Sequence, residues 1–209
     1  PISLLSLAIG DTVSDQVFAT IPLFALMGLL VGQAGLGRDV YDVANYIFRR
    51  VRGGLGIATV AANAVFASIT GSSIASATVF TRISVPEMLR FGYTRKFSVG
   101  VVAGSSVLGM LIPPSAMLII YAIVAEQSVG HMFIAGIVPG VLLAIAYGLM
   151  IVAFAYWYPS FVMRHENVAR DGDAEDTMSL GTVFTKLAPI GVLIAVVLGG
   201  IYGGVVTPV

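Results

Sequence analysis

Residues 53–81 read GGLGIATVAANAVFASITGSSIASATVFT, 29 consecutive residues without an Asp, Glu, Lys or Arg. About 20 apolar residues suffice to cross a bilayer, so this run belongs in lipid. Both of its flanks are basic. Arg49, Arg50 and Arg52 precede it, and Arg82, Arg90, Arg95 and Lys96 follow. A single crossing would put these clusters on opposite faces of the membrane, which the positive-inside rule disfavours. A re-entrant hairpin turning at Gly71-Ser72-Ser73 returns both to the cytoplasmic side, and the sequence predicts that hairpin.

Working outward, residues 97–125 form a second 29-residue run without charge, interrupted by Pro113-Pro114. It is expected to cross outward as a broken helix. Residues 17–34 read as a first span. Residues 132–158 read as a return span ending on the interfacial anchors Trp157 and Tyr158, and 187–206 as a further outward span. Residues 38–52 are amphipathic. Val40, Ala44, Ile47, Phe48 and Val51 share one helical face, and Arg38, Asp42, Asn45, Arg49 and Arg52 the other, as in a helix lying in the interface plane. Residues 126–131 form a short outer loop and 159–186 a polar, acidic loop. With this threading all 11 Lys and Arg fall on one side. The predicted class is an all-α integral membrane protein.

Composition agrees. Hydrophobic residues make up 57% and charged residues 11%, against about 25% charged in soluble domains. A net charge of zero offers no footprint for nucleic acid. Cysteine is absent, which excludes disulfides and Cys metal sites. No phosphate loop, Ser-His-Asp set or His cluster occurs, so neither an ATP-driven machine nor an enzyme is expected. A scaffold would have little use for polar turns in lipid. The chain opens on Pro1 and stops at Val209 after an apolar run, and it is expected to be a fragment of a longer protein.

The chemistry is expected at the two interruptions. Pro113 and Pro114 lack N–H groups and disfavour helix just before them. The carbonyls they release can hold a cation, and half-helix N-termini can face an anionic substrate group; a simple kink is the competing reading. At the hairpin tip Thr70, Ser72 and Ser73 bring hydroxyls beside free backbone; the competing reading is a Ser-rich helix bonded back on itself. Both segments lack Asp, Glu and His, the usual parts of an intramembrane proton relay, so the reading favours sodium. Asn63 is divided between packing and site lining, and Gly136 and Gly140, like the glycines from Gly199 to Gly204, read as helix contacts. Glu126 and His131 read as solvated, and Arg82 and Glu87 as pairing with each other or with lipid headgroups.

Several blocks resemble the large membrane subunit of the tripartite ATP-independent periplasmic (TRAP) transporters. They are IPLFALMG at 21–28, GGL at 53–55, FASITGSSIA at 66–75, Val85-Pro86 with Met88 and Gly92-Tyr93, GMLIPPS at 109–115, FIAGIVPG at 133–140, and GGIYG at 199–203 with Thr207-Pro208. Ser76 stands where the family often has Asp or Thr, and Thr-Pro-Val ends the chain where the family continues Thr-Pro-Thr-Glu. The resemblance implies half of an inverted repeat in an elevator-type, sodium-driven importer. Its organic-acid substrates, such as C4-dicarboxylates or sialic acid, come from a periplasmic binding protein, and a small membrane subunit completes the complex in the bacterial inner membrane. Residues 1–52 would form a scaffold span and arm helix, 53–125 the transport-type hairpin and broken helix, and 126–209 an outer loop, two spans and the polar loop. One sodium site would use Ser72, Ser73, Gly109, Pro113 and Ser115, with Ser105 and Ser106 nearby and Gly71 and Pro114 shaping the backbone. The alternative is another inverted-repeat carrier, a divalent-anion or citrate symporter working without a binding protein.

Overall fold

The computed structural model describes residues 16–163 and 179–203. Residues 1–15, most of the acidic loop and the Thr207-Pro208 block lie outside them. The described chain is helical: α1 (Gln16–Gln33), α2 (Leu36–Phe48), α3 (Gly54–Thr70), α4 (Ser73–Arg90), α5 (Arg95–Ser106), α6 (Leu108–Leu111), α7 (Ala116–Val124), α8 (Val129–Trp157), α9 (Pro159–Val162) and α10 (Leu180–Tyr202). Among the described residues two helices are long and apolar enough to cross a bilayer, Val129–Trp157 and Gly181–Tyr202. Arg95–Leu111 and Ala116–Val124 make a third candidate as a pair bent by 44°.

The uncharged run at 53–81 folds as two helices rather than one. Helix α3 ends at Thr70 because Gly71 adopts a left-handed conformation (φ 57°) and returns its N–H to the Ala67 carbonyl. Ser72 is extended and caps α4, its hydroxyl accepting from the Ala75 N–H at 3.4 Å. The two arms lie antiparallel. Near the base Thr59 and Ser84 share a short hydroxyl–hydroxyl hydrogen bond, and higher up Phe66 meets Phe80 edge-on at 5.6 Å. An interhelical hydroxyl bond in lipid contributes only about 0.6 kcal/mol on average. The pairing therefore relies on close contact of small and aromatic side chains along the whole hairpin.

Helix α5 runs parallel to α3. Low on the pair Gly56 faces Phe97, midway the Asn63 amide donates to Ser105 Oγ at 2.6 Å, and at the top Gly71 faces Pro114. Helix α8 descends antiparallel to both. Gly140 packs on Ile112, Tyr147 on Gly104, and Ile151 on Gly53 and Gly56. Cations and aromatic rings share the base, where Arg52 lies 5.2 Å from the Tyr156 ring, Trp157 is exposed and Thr94 donates to the Phe161 carbonyl. Such a belt is what a membrane interface selects.

Two expectations need correction. Lys186 does not close the polar loop. It lies in the second turn of α10, its ammonium held by Asp42 at 2.5 Å and Asp39 at 3.3 Å, so the neutralised charge does not stop the helix. The arm helix α2 exists, but its buried stripe is Gly37, Val40, Tyr41, Val43 and Ala44. Ile47 and Val51 are exposed, and the buried Asn45 Oδ1 lies on the side read as polar. Gly37 packs on Val79 and Phe66 of the hairpin, so protein covers the face that periodicity assigned to lipid. Arg82 and Glu87 form no ion pair among the described residues.

Phe66 is fully buried at the crossing of α2, α3 and α4. Phe66→Ala should destabilise the full-length protein in detergent by about 1–3 kcal/mol. That is less than the ~3–5 kcal/mol typical of water-soluble cores, because the transfer term largely vanishes in lipid. Ile47→Ala, at an exposed site, should leave the thermal midpoint unchanged, and an equal shift in the two variants would contradict this packing.

Candidate functional site

The hairpin tip meets the break in the α5–α7 segment. At Gly109 an added Cβ would lie 2.9 Å from Ser72 C, 3.0 Å from Ser73 N and 3.1 Å from Ser72 O, so two backbones touch where no side chain intervenes. At Gly71 an added Cβ would strike the Pro114 carbonyl oxygen. The Gly71 carbonyl accepts from the Ala116 N–H at 3.3 Å, which joins the tip to the first turn of α7 directly. Gly71 is thus required twice, by its positive φ and by the approach of Pro114.

The break follows from its residues. Pro113 and Pro114 supply no N–H to the carbonyls of Gly109 and Met110, their i−4 acceptors. Ser115 compensates for one of these, its buried hydroxyl donating to the Met110 carbonyl at 2.8 Å. No backbone donor stands four residues beyond Gly109. Ile112 is extended, and Ser115 opens α7 in an extended conformation. On the other side Gly136 and Gly140 admit the broken strand of chain. An added Cβ would lie 2.7 Å from the Leu111 carbonyl oxygen at Gly136 and 2.8 Å from Ile112 Cγ1 at Gly140. These glycines read as helix–helix contacts; Gly136 does meet helical residues, Leu111 of α6 and Leu118 of α7, whereas Gly140 meets the extended Ile112 at the break.

Four helix ends therefore converge. The carbonyl ends of α3 and α6 meet the amide ends of α4 and α7. The partial charges at helix termini make the first pair suited to a cation and the second to an anion. Of the predicted residues, the fold brings Gly71, Ser72, Ser73, Gly109, Pro113, Pro114 and Ser115 to this junction. Ser105 stands a turn below Gly109 and is bound to Asn63 and to the Val101 carbonyl. Ser106 donates to the Ala103 carbonyl at 2.8 Å, and Thr70 to the Phe66 carbonyl. These three hydroxyls have spent their protons within their own helices. Asn63 and Ser76 carry further signals: Asn63 Oδ1 and Ser76 Oγ are buried without a hydrogen-bond partner. In the sequence Asn63 stands out as the one carboxamide of α3, whereas Ser76 is one of several hydroxyl residues in α4. Among the described residues no group of three or more His, Cys, Asp or Glu could hold a metal.

Over residues 1–209 the sequence matches the family described as the tripartite ATP-independent periplasmic transporter, DctM component. The chain belongs to this family. It is 37% identical, over its whole length, to the C4-dicarboxylate TRAP transporter large permease protein DctM of Pseudomonas aeruginosa, covering 47% of that protein. It is 34% identical over 90% of its length to the isethionate TRAP transporter permease protein DctMQ of Oleidesulfovibrio alaskensis, covering 28% of it. It is 31% identical over 94% of its length to the sialic acid TRAP transporter large permease protein SiaM of Vibrio cholerae, covering 44%. The chain thus spans half or less of each of these relatives. The TRAP relatives are named as transporter permeases rather than enzymes, in keeping with the absence of a catalytic constellation in the sequence.

Within this TRAP permease chain the glycines at the junction are the most exposed to test. Gly71→Ala would hold a non-Gly residue in the left-handed region, at about 1–3 kcal/mol, and would also push on Pro114. Gly109→Ala would separate the tip from the break. Both variants of the full-length protein should melt at lower temperature and lose at least about tenfold in solute uptake, ~1.4 kcal/mol or more in effective terms. At Gly148 an added Cβ meets nothing within 4 Å, and Gly148→Ala should leave both measurements unchanged.

Proposed function

We propose that this chain forms the first half of the membrane-embedded permease of a sodium-coupled secondary transporter in the bacterial inner membrane. In this reading α3 and α4 are a re-entrant hairpin entering from the cytoplasmic side, and α5 to α7 are a broken span. Their junction binds a sodium ion through neutral oxygens, at Ser72 and Ser73 and at the carbonyls around Gly109 and Pro113. Residues 53–125 travel as the moving body of an elevator against a scaffold made from the flanking segments. The solute is an organic acid, a C4-dicarboxylate or sialic acid being the leading candidates, handed over by a periplasmic binding protein. A small membrane subunit completes the complex.

The observation that carries this reading is the contact of Gly71, Ser72 and Ser73 with Gly109 and Pro114 in segments that contain no Asp, Glu, His, Lys or Arg. Irregular backbone at membrane depth is tolerated where protein buries it or where it lines a wet cavity. Carbonyls and hydroxyls at such a place suit a hard monovalent cation, whereas a proton carrier would call for an acid or imidazole. Membership of a family described as tripartite and periplasmic favours a binding-protein-dependent carrier over a divalent-anion or citrate symporter that works alone. The relatives named above carry solutes that are all acids, which supports the substrate class and leaves its member open.

Uptake by the full-length protein with its partners in proteoliposomes should require an inward sodium gradient; equal uptake without one would sink the sodium assignment. Ser72→Ala and Ser73→Ala should each raise the sodium concentration for half-maximal uptake by about tenfold, the loss of one charge-assisted contact. Single cysteines replacing Gly35 and Phe91 should be labelled from the same side of the membrane. Labelling from opposite sides would make the hairpin a full crossing.

A further inference from the structure

Away from the break, α5 and α8 flank a groove of about 200 Å³ that reaches from Gly104 and Tyr147 to Lys96 and Phe161. We propose that this groove holds one acyl chain of an acidic phospholipid, with the lipid phosphate paired to Lys96 at its mouth. The inference rests on the membrane reading and is independent of sodium coupling.

Glycines make the groove. Lys96, Gly100 and Gly104 follow one another at helical spacing along α5, and no side chain fills the space before Gly100, where an added Cβ would meet nothing within 4 Å. Tyr147 of α8 closes the deep end, its ring 3.4 Å from a Cβ placed on Gly104. Apart from Lys96 the lining is apolar or aromatic, with Phe154 and Phe161 in mutual contact at 5.9 Å near the mouth. The floor is narrow. A single Cβ on Gly56 would lie 3.2 Å from Ile151 and 3.4 Å from Phe97, one residue of each wall. A protein helix about 10 Å across cannot enter such a slot, but a chain of methylenes can.

Charge and depth then choose the lipid. Lys96 is exposed, next to exposed Arg95, and makes no ion pair among the described residues. From Lys96 to Gly104 the groove runs about 12 Å along the helix, inside one leaflet of a hydrocarbon core ~30 Å thick. Its mouth is level with Trp157 and Tyr158 at the basic end of the bundle. That end is the cytoplasmic side under the positive-inside rule, where acidic headgroups meet basic pockets between helices. A lysine stem lying along the groove with its ammonium at the headgroup level is the ordinary posture for this residue.

The test is native mass spectrometry of the full-length permease, with its membrane subunit, extracted from vesicles of phosphatidylglycerol and phosphatidylethanolamine. Wild-type protein should retain phosphatidylglycerol in preference to phosphatidylethanolamine. Lys96→Gln should reduce that preference about fivefold and Lys96→Arg should keep it. Gly100→Phe should fill the groove and lower retention of both lipids, with thermal unfolding confirming that the variant is folded. If Gly100→Phe does not fold, the Lys96 pair decides alone. No preference in wild-type protein, an unchanged preference in Lys96→Gln, or a photocrosslinker at residue 100 that captures protein instead of lipid would overturn the proposal.

Discussion

The fold depends on one constraint: a main chain that leaves its helix inside a membrane must find partners for its amides and carbonyls, because hydrocarbon offers none. Among the described residues, and besides the single-residue turn at Val107, the chain leaves its helices in uncharged sequence at Gly71-Ser72 and at Ile112–Ser115. Each excursion supplies what the other lacks. The Ala116 N–H, at the unpaired start of α7, reaches the Gly71 carbonyl at the unpaired end of α3, and Ser115 serves the Met110 carbonyl that Pro114 cannot. The remaining arrangement follows from bringing these two points together. Helix α3 must run parallel to α5, α4 must return beside them, and glycines must stand at 71, 109, 136 and 140, where backbone meets backbone or non-helical chain.

Much of this is legible in the sequence because charge and proline are unambiguous in lipid. The basic clusters around residues 49–52 and 82–96 ask for a turn between them, and the turn falls at Gly71. Pro113-Pro114 asks for a break, and the helices stop at Leu111 and restart at Ala116. What is not legible depends on partners far away in the chain. Lys186 reads as a loop residue until Asp39 and Asp42, more than 140 positions earlier, neutralise it. The stripe of α2 that is buried is set by Val79 and Phe66, so periodicity finds the helix and misplaces its covered face. Gly136 and Gly140 announce a close neighbour without saying that the neighbour is the broken chain itself. The hydroxyls of Thr70, Ser105 and Ser106 look as available as those of Ser72 and Ser73, and only the coordinates show which are already donating to a carbonyl.

The buried polar atoms at Asn63 and Ser76 bear on how the hairpin holds its register. An unsatisfied amide oxygen in a closed interior is costly, and in lipid there is no water to relieve it. Asn63 donates to Ser105 across α3 and α5 while its own oxygen goes without a partner. A leucine there would pack without this cost but would remove the one directional contact between α3 and α5 at this height. The Asn63–Ser105 bond fixes the height of the tip relative to the break, which is what the Ser72–Gly109 contact requires.

This division of labour between anchor and junction gives the proposed mechanism its physical basis. The lower half of the bundle carries the flanking cations, the aromatic belt and the aromatic packing of Phe97, Phe154 and Phe161. The junction itself carries no charged side chain, only dipoles, with two carbonyl ends and two amide ends brought together. A junction built from dipoles can accept a monovalent cation and release it again, because no fixed carboxylate holds the ion too tightly for it to leave. In the proposed mechanism the bound cation would offset one negative charge of an anionic solute, lowering the desolvation cost that either would meet alone in the low-dielectric interior.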